Sequence, residues 1–395
     1  MATATAKPEF SLLSKQFNKS LSKEERKREG IFFTPNKARK ALFDKLADLK
    51  VNPKKIIEPS FGTGEFIIDA HQIYPDALIE GIEKNEALYS SINSSKNIKL
   101  IHDDFLTYNG TADLIIGNPP YFVMKDKSKS LCQKGRPNIF VLFLYKCLTE
   151  HLEQDGFLAF ILPTSIYNCS YYQLMRDYIQ QNTTIHHLEN LNKPGFYETG
   201  QETTLIILQK GKQNDNYIFR SKQTYITPFY KELYEITKNT TTINALGLSV
   251  KTGNIVWNQH KTKLVDKTKL VDKTNETKLL IYSSNINNSE LILDNINEPK
   301  KQYITIDKPT ISGPVILVER GYGNTFKFNS VLVELDDFYA ENHINVIYAK
   351  QKENEIHLSR VKASFQDERT QLFIKYFLGN GSMTATDLET LLPIF

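Results

Sequence analysis

Between residues 54 and 208, short apolar runs alternate with stretches whose apolar positions recur three and four residues apart. The runs fall at 55–58, 77–82, 98–101, 112–117, 156–162, 185–190 and 203–208, and Pro163 stops the fifth. Runs this short, buried on both faces, read as strands of a mostly parallel sheet. The spaced stretches read as helices through Phe66, Ile67 and Ala70, from about Asn85, over about 138–153 and near 170–181. Ahead of them Ala38, Ala41, Leu42, Leu46 and Leu49 line one stripe of a helix over 36–49. Pro35 suits its first turn, and Thr34 is the N-cap candidate. The alternation predicts an α/β protein with a Rossmann-like, doubly wound sheet. Residues 1–29 read as a polar, partly helical lead-in with a charged end at 23–29.

The pattern stops after Gln209-Lys-Gly-Lys-Gln213, where the chain turns rich in Asn, Thr and Lys. We read 211–240 as a connecting stretch and 241–395 as a separate α+β domain with short strand-like runs at 304–306, 315–318 and 331–333. The domains are then 1–240 and 241–395, a division suited to 395 residues and 45.4 kDa. The hexad Lys-Thr-Lys-Leu-Val-Asp at 261–266 recurs at 267–272, which is too few copies for a solenoid and reads as a duplicated surface loop.

Composition narrows the class. The chain is 40% apolar and 24% charged, enough to bury ordinary cores. No apolar run approaches the roughly 20 residues of a membrane span, and the N-terminal residues show no secretory pattern. Three cysteines without a Cys-x-x-Cys pair argue against a disulfide scaffold and structural zinc, so a cytoplasmic setting is expected. The net charge is +4, but residues 1–50 hold 12 Lys/Arg against 6 Asp/Glu, while 241–395 hold 18 of each. A basic arm can meet a polyanion or be a solvated helix face.

The sharpest chemical signal is Asn118-Pro-Pro-Tyr121, directly after the fourth strand. It stands at a strand's C-terminal end, where open α/β sheets keep their sites. Pro119 and Pro120 stiffen the turn, so the Asn118 oxygen and a fixed backbone carbonyl can both accept from one planar NH2 group. Tyr121 can stack on the flat molecule carrying that group. The exocyclic nitrogen of adenine poses this problem, because its lone pair is delocalised into the ring. Two acceptors localise it for attack by orientation and electrostatics, without a covalent intermediate.

The second signal is Glu58-Pro-Ser-Phe-Gly-Thr-Gly64, a strand running through a glycine turn into a helix. Backbone there can approach a nucleotide-like ligand closely. No Gly-Lys-Ser/Thr follows, so it is no P-loop, and Ile67 replaces the third glycine of a dinucleotide fingerprint. Glu83 closes the second strand, where a carboxylate can accept from both ribose hydroxyls. Asp104 and Phe105 follow the third strand and could bond and pack an adenine. Singly, each carboxylate would pass for a solvated one; in this order on successive strand ends they form a set.

With these motifs the chain resembles the S-adenosylmethionine-dependent DNA amino-methyltransferases of the gamma order, the TaqI-like adenine-N6 methylases, over roughly 28–212. The resemblance implies a class I methyltransferase fold and S-adenosyl-L-methionine as cofactor. It implies Thr34 near the methionine moiety, and the loop Glu58, Ser60, Gly62 and Gly64 around the cofactor. Glu83 would hold the ribose, Asp104 the adenine amino group, and Phe105 and Phe143 would pack the adenine. Asn118, Pro119, Pro120 and Tyr121 would be the catalytic motif. Phe196, with Tyr197 beside it as the alternative, would face the flipped target base. The C-terminal domain would be a target-recognition domain, with Trp257 and Arg320 as candidate groove contacts and 341–345 as a polar loop.

The expected reaction is methyl transfer to adenine N6 in double-stranded DNA, with the base rotated out of the stack. No metal site is expected. The chain would serve a restriction–modification system as a monomer, with any cognate endonuclease acting separately. A cytosine-C5 methylase needs a Pro-Cys nucleophile, but Leu131, Lys146 and Asn168 precede the cysteines. Cytosine-N4 methylases usually carry Ser where Asn118 stands. RNA adenine or guanine methylation is the main alternative; protein-glutamine N5 methylation would not require the second domain.

Overall fold

The computed structural model describes residues 9–124, 135, 138–191, 202–211, 213–266, 277–293, 301–320, 328–378 and 383–395, without the side chains of Lys23 and Lys27. The chain divides into two compact units, 1–230 and 231–395.

The first unit opens with helices α1 (Leu12–Ser20), α2 (Lys23–Glu29) and α3 (Asn36–Asp48). The alternation follows as β1 (Lys55–Glu58), α4 (Glu65–Ile73), β2 (Leu78–Glu83), α5 (Glu86–Tyr89), β3 (Ile98–His102) and β4 (Ala112–Gly117). It continues through α6 (Ile139–Lys146), β5 (Leu152–Pro163), α7 (Gln173–Asn182), β6 (Thr183–Leu191) and β7 (Thr203–Lys210). One seven-stranded sheet results, in the order β3-β2-β1-β4-β5-β7-β6. The first five strands are parallel, and β7 runs antiparallel to both β5 and β6.

Side chains alternate across the sheet because successive residues of a strand point to opposite faces. Ile56, Leu114, Ile116, Ala159, Ile161, Leu205 and Ile207 face one core, shared with α3 and α4. Ile57, Ile115, Leu158, Phe160, Ile206 and Leu208 face the other, shared with α6 and α7. Helices therefore cover both faces, as the sequence predicts.

Four details differ from the sequence reading. The helix expected to reach 153 ends as α6 at Lys146, passes through a π-helical turn at Cys147–His151, and gives way to β5, where Leu152 already pairs with Ala112. Thr34 does not cap α3: the N-cap residue is Pro35, without a side-chain bond. Residues 211–240 are more than a connector, since they hold the hairpin β8 (Ile218–Arg220) and β9 (Thr224–Ile226) and helix α8 (Tyr230–Thr237). The fully buried Arg176 of α7 ties β9 down by donating to the Thr224 carbonyl at 2.7 Å. The unit boundary, finally, precedes α8's second residue rather than residue 241.

The second unit mixes α and β. Strands β10 (Leu248–Thr252), β11 (Leu264–Val265), β12 (Thr277–Ile281), β13 (Ile286–Asn287) and β14 (Glu290–Leu291) come first. Next come β15 (Tyr303–Thr305), β16 (Val315–Glu319), β17 (Ser330–Val333), β18 (Phe338–Ala340) and β19 (Ile344–Ala349). They form the sheets β10-β19-β16-β17 and β11-β15-β12-β18 and the hairpin β13-β14. Helices α9 (Leu358–Ser364), α10 (Glu368–Leu378) and α11 (Ala385–Thr390) complete it.

Candidate active site

The glycine loop after β1 brings backbone to the C-terminal edge of the sheet. Gly62 and Gly64 take φ of +57° and +76°, a region L side chains enter only with strain. A Cβ at Gly64 would also stand 2.3 Å from Ile92 Cδ1. The sharp turn delivers the Gly62 amide to Glu83, whose Oε2 accepts at 2.9 Å, while Oε1 accepts from the Asn85 amide at 2.8 Å. Burial pushes the Glu83 carboxyl above its ordinary range, and the backbone donors oppose that shift. Asp104 Oδ2 holds Lys84 Nζ at 2.8 Å, and its Oδ1 accepts from the Leu106 amide at 3.0 Å. Phe105 is buried with its ring 5.0 Å from that of Phe143.

These groups surround a cavity of about 560 Å³, within the range of small-ligand sites. Ser60, Gly62, Glu83, Asp104, Phe105, Asn118, Pro120 and Phe143 line it, so eight of the residues singled out in the sequence meet at one place. The buried Ser60 Oγ has no hydrogen-bond partner among the described residues. A wall of two carboxylates, an apolar aromatic pair and an unsatisfied hydroxyl suits a ligand with ribose hydroxyls, a flat amino-bearing base and a polar tail.

Asn118 lines this cavity, just past β4. Its Nδ2 donates to the Phe32 carbonyl at 3.2 Å and to Thr34 Oγ1 at 3.0 Å. Its Oδ1 faces the other way and hydrogen-bonds the Tyr121 hydroxyl, which also lies 2.7 Å from the Ile161 carbonyl. The phenol has one proton to share between these oxygens, and burial holds its pKa well above the ordinary value, so it remains a donor. The Tyr121 ring stacks on Phe32, with centroids 6.1 Å apart, and meets Phe140 edge-on. Pro119 is buried and Pro120 half-buried.

Five expected site residues do not line the cavity, Pro119 and Tyr121 of the turn after β4 among them. Thr34 is turned toward Asn118. Gly64 starts α4. Glu58 is sealed inside with only 2% of its surface exposed, and its Oε2 lacks a partner among the described residues. Burial first, then the charges of Glu65 and Glu83, push the Glu58 carboxyl well above its ordinary range. Phe196 and Tyr197 lie outside the described residues.

The sequence reading missed the contribution of the N-terminal arm. Arg28, Glu29, Gly30, Ile31, Phe32 and Phe33 all line the cavity. Helix α2 is set by a capping box between Ser22 and Glu25 and ends on Gly30 at φ +68°. The cap stands in the sequence as Ser-x-x-Glu, hidden beneath the charge of the segment, while Gly30 was readable as the break after it. Helix α1 is moored to the glycine loop. The buried Ser14 hydroxyl lies 2.7 Å from Thr63 Oγ1 and bonds the Glu65 carboxylate. Ser11 and Thr63 also donate to Glu65, at 2.8 and 2.5 Å.

In the second unit the polar run 341–345 is internal wiring. The buried Glu341 carboxylate accepts from the Ser283 amide and hydroxyl, and Asn345 Oδ1 accepts from Thr252. Trp257 is half-buried, edge-on to Tyr282. Arg320 donates to the Asn342 carbonyl at 3.3 Å. Among the described residues, no group of His, Cys, Asp or Glu could hold a metal ion, and no helix is long and apolar enough to cross a membrane.

A doubly wound sheet with a reversed β7, and a cavity at its C-terminal edge, make the class I methyltransferase fold. Comparison with known proteins gives the family. Residues 9–196 match the family described as Eco57I restriction-modification methylase. The chain is 32% identical to the modification methylase CviBIII of Paramecium bursaria Chlorella virus NC1A, over 98% of this chain and 99% of that one. It is 31% identical to the type II methyltransferase M.CvrRI of Paramecium bursaria Chlorella virus XZ-6E, over 97% and 98%. Among solved structures, the M protein of the type I restriction enzyme EcoKI aligns over 47% of this chain and 45% of its own, with 17% identity and a TM-score of 0.38. The chain belongs to the type II restriction-modification methylase family.

Proposed function

We propose that this methyltransferase moves a methyl group from S-adenosylmethionine to the N6 amino group of an adenine rotated out of double-stranded DNA. It would act as the modification enzyme of a restriction–modification system, with any cognate endonuclease separate. The observation that carries the reading is the setting of Asn118: it lines the cavity just past β4, its amide hydrogens are taken by the Phe32 carbonyl and the Thr34 hydroxyl, and its Oδ1 accepts from the Tyr121 hydroxyl with one lone pair and keeps the other for a substrate hydrogen. An acceptor so held suits an exocyclic amine whose hydrogens must be drawn out of the ring plane.

The sulfonium of S-adenosylmethionine supplies the methyl group. In this reading Glu83 takes the ribose hydroxyls, Asp104 the cofactor's adenine amino group, and Phe105 and Phe143 the faces of that ring. Asn118 Oδ1 and the Pro119 carbonyl accept the hydrogens of the target amine, and Pro120 keeps the turn rigid. Tyr121 and Phe196 hold the flipped base between their rings. The second unit, 231–395, would select the DNA site. We assign the protein to the cytoplasm, as a monomer.

The test of the substrate is methyl transfer from labelled S-adenosylmethionine to genomic DNA lacking adenine methylation, alongside RNA and protein. Label in DNA alone is expected. Label confined to RNA or protein would overturn the substrate while leaving the methyltransferase assignment in place.

A further inference from the structure

Strand β4 pairs with β5 as far as Gly117, which stands opposite Phe160. Past that pair the chain runs through Asn118 into two prolines, which carry no N–H and cannot go on donating to β5. Ile161, the next residue of β5, is fully buried. A buried backbone carbonyl left without a donor is costly, so another group must replace the missing amide. The Tyr121 hydroxyl does so, 2.7 Å from the Ile161 carbonyl oxygen.

The same hydroxyl reaches Asn118. It bonds Oδ1, so one phenolic proton serves a sheet carbonyl and a side-chain amide together. The Phe32 carbonyl and Thr34 Oγ1 hold the other end of that amide through Nδ2. Those two bonds fix the nitrogen, and the bond from Tyr121 stops the oxygen from pivoting about it. An amide oxygen has two lone pairs, so one is left for a hydrogen of the substrate. The ring behind the hydroxyl is itself wedged, stacked on Phe32 and edge-on to Phe140.

We propose that the Tyr121 hydroxyl, apart from any stacking by its ring, is a positioning group for Asn118. It ties Oδ1 to the end of β5 and so aims the remaining lone pair at the methyl-accepting amine. The inference rests on the reading of Asn118 given above. Without the hydroxyl the amide oxygen swings, and misplacing a reacting group in this way slows the chemical step while the cofactor wall stays as it was.

The test compares Tyr121→Phe, Tyr121→para-aminophenylalanine, Asn118→Ala and the Phe–Ala double variant. S-adenosylmethionine affinity is read by calorimetry and methyl transfer by single turnover on saturating unmethylated DNA. Tyr121→Phe keeps the ring. It is expected to hold the cofactor Kd within about twofold and to slow single-turnover transfer about ten- to a hundredfold. The para-amino group puts N–H donors where the hydroxyl stood and should bring the rate back to within about threefold of wild type. Tyr121→Phe should cost almost nothing further once Asn118 is Ala. If Tyr121→Phe does not fold, Tyr121→para-fluorophenylalanine, close to tyrosine in size but without the proton, carries the same comparison. A raised cofactor Kd with an unchanged transfer rate would overturn the proposal. So would a Tyr121→Phe loss of equal size in both backgrounds, or a para-amino variant no faster than Tyr121→Phe. Should Asn118→Ala collapse transfer while Tyr121→Phe leaves it untouched, the positioning role alone fails. Should Asn118→Ala transfer at the wild-type rate, the reading of Asn118 fails first and takes this proposal with it.

Discussion

Gly30 lies directly against Tyr121: a Cβ at Gly30 would stand 2.8 Å from the Tyr121 amide nitrogen and 2.9 Å from Pro120 Cβ. The arm and the Asn118–Tyr121 turn are in contact at the one residue that can enter a left-handed conformation there cheaply. Gly30→Ala should lose about 1–2 kcal/mol of stability from the strained φ alone. It should lose more in function, because the backbone of the turn cannot yield as a flexible side chain would. We expect at least a tenfold fall in transfer rate from a folded protein, measured at saturating cofactor. A rate near wild type would mean that the arm does not set the geometry of the turn.

Glu83 tests the cofactor half of the site. Both of its oxygens are held by backbone amides, so its position is fixed before any ligand arrives. Glu83→Gln keeps the shape and replaces one acceptor oxygen with a donor. Hydrogen bonds to a charged group contribute roughly 1.5–3 kcal/mol, so the S-adenosylmethionine Kd should rise roughly ten- to a hundredfold. The transfer rate at saturating cofactor should change little. An unchanged Kd would remove Glu83 from the binding site.

Glu58 gives a pH signature. Its carboxyl is neutral in the fold well above the ordinary value of 4.5, because burial and the nearby Glu65 and Glu83 disfavour its charge. In the unfolded chain it ionises near that ordinary value, so the unfolded state sheds the proton first. This group's share of stability is therefore full in acid and is lost as pH rises from about 4.5 through the raised folded-state pKa. Glu58→Gln, neutral at every pH, should flatten that decline in urea-melt stability measured between acid and alkaline buffers. Identical slopes for the two proteins would contradict the buried neutral carboxyl.

The mooring of α1 predicts a folding defect rather than a chemical one. Glu65 collects the hydroxyls of Ser11, Ser14 and Thr63 in a pocket where Ser14 is fully buried. Glu65→Ala leaves buried hydroxyls without their acceptor and should cost roughly 2–3 kcal/mol in urea melts, against about 1 kcal/mol for Ser14→Ala. A Glu65→Ala loss below about 0.5 kcal/mol, typical of surface changes, would mean that water reaches the cluster.

The sheet was legible because its strands are buried on both faces and read as unbroken apolar runs such as Leu114–Ile116. The end of α6 was not legible. Its apolar run flows through the π-helical turn into β5 with no Gly or Pro until Gly156, so periodicity alone extends the helix. The cavity wall at Ser60, Gly62, Glu83, Asp104, Phe105 and Asn118 was readable from strand-end positions, since topology gathers those ends at one edge, while Phe143 of α6 was reached only through the family resemblance. Thr34 was misread for the opposite reason. Local sequence offers it as a cap, but its hydroxyl is claimed by Asn118, 84 residues away, a competition only tertiary structure decides. The arm was read through its charge and its break at Gly30, while the cap at Ser22 that sets α2 went unread.

The central claim is the identity of the methylated atom. The most direct measurement digests DNA methylated by the purified protein to nucleosides and identifies the labelled one by mass spectrometry, with Asn118→Ala as the matched control. The account predicts N6-methyladenine as the sole methylated nucleoside from the wild-type protein. Asn118→Ala should yield about a hundred- to a thousandfold less, with cofactor affinity intact. N4-methylcytosine or 5-methylcytosine in its place, or N6-methyladenine at full yield from Asn118→Ala, would contradict it.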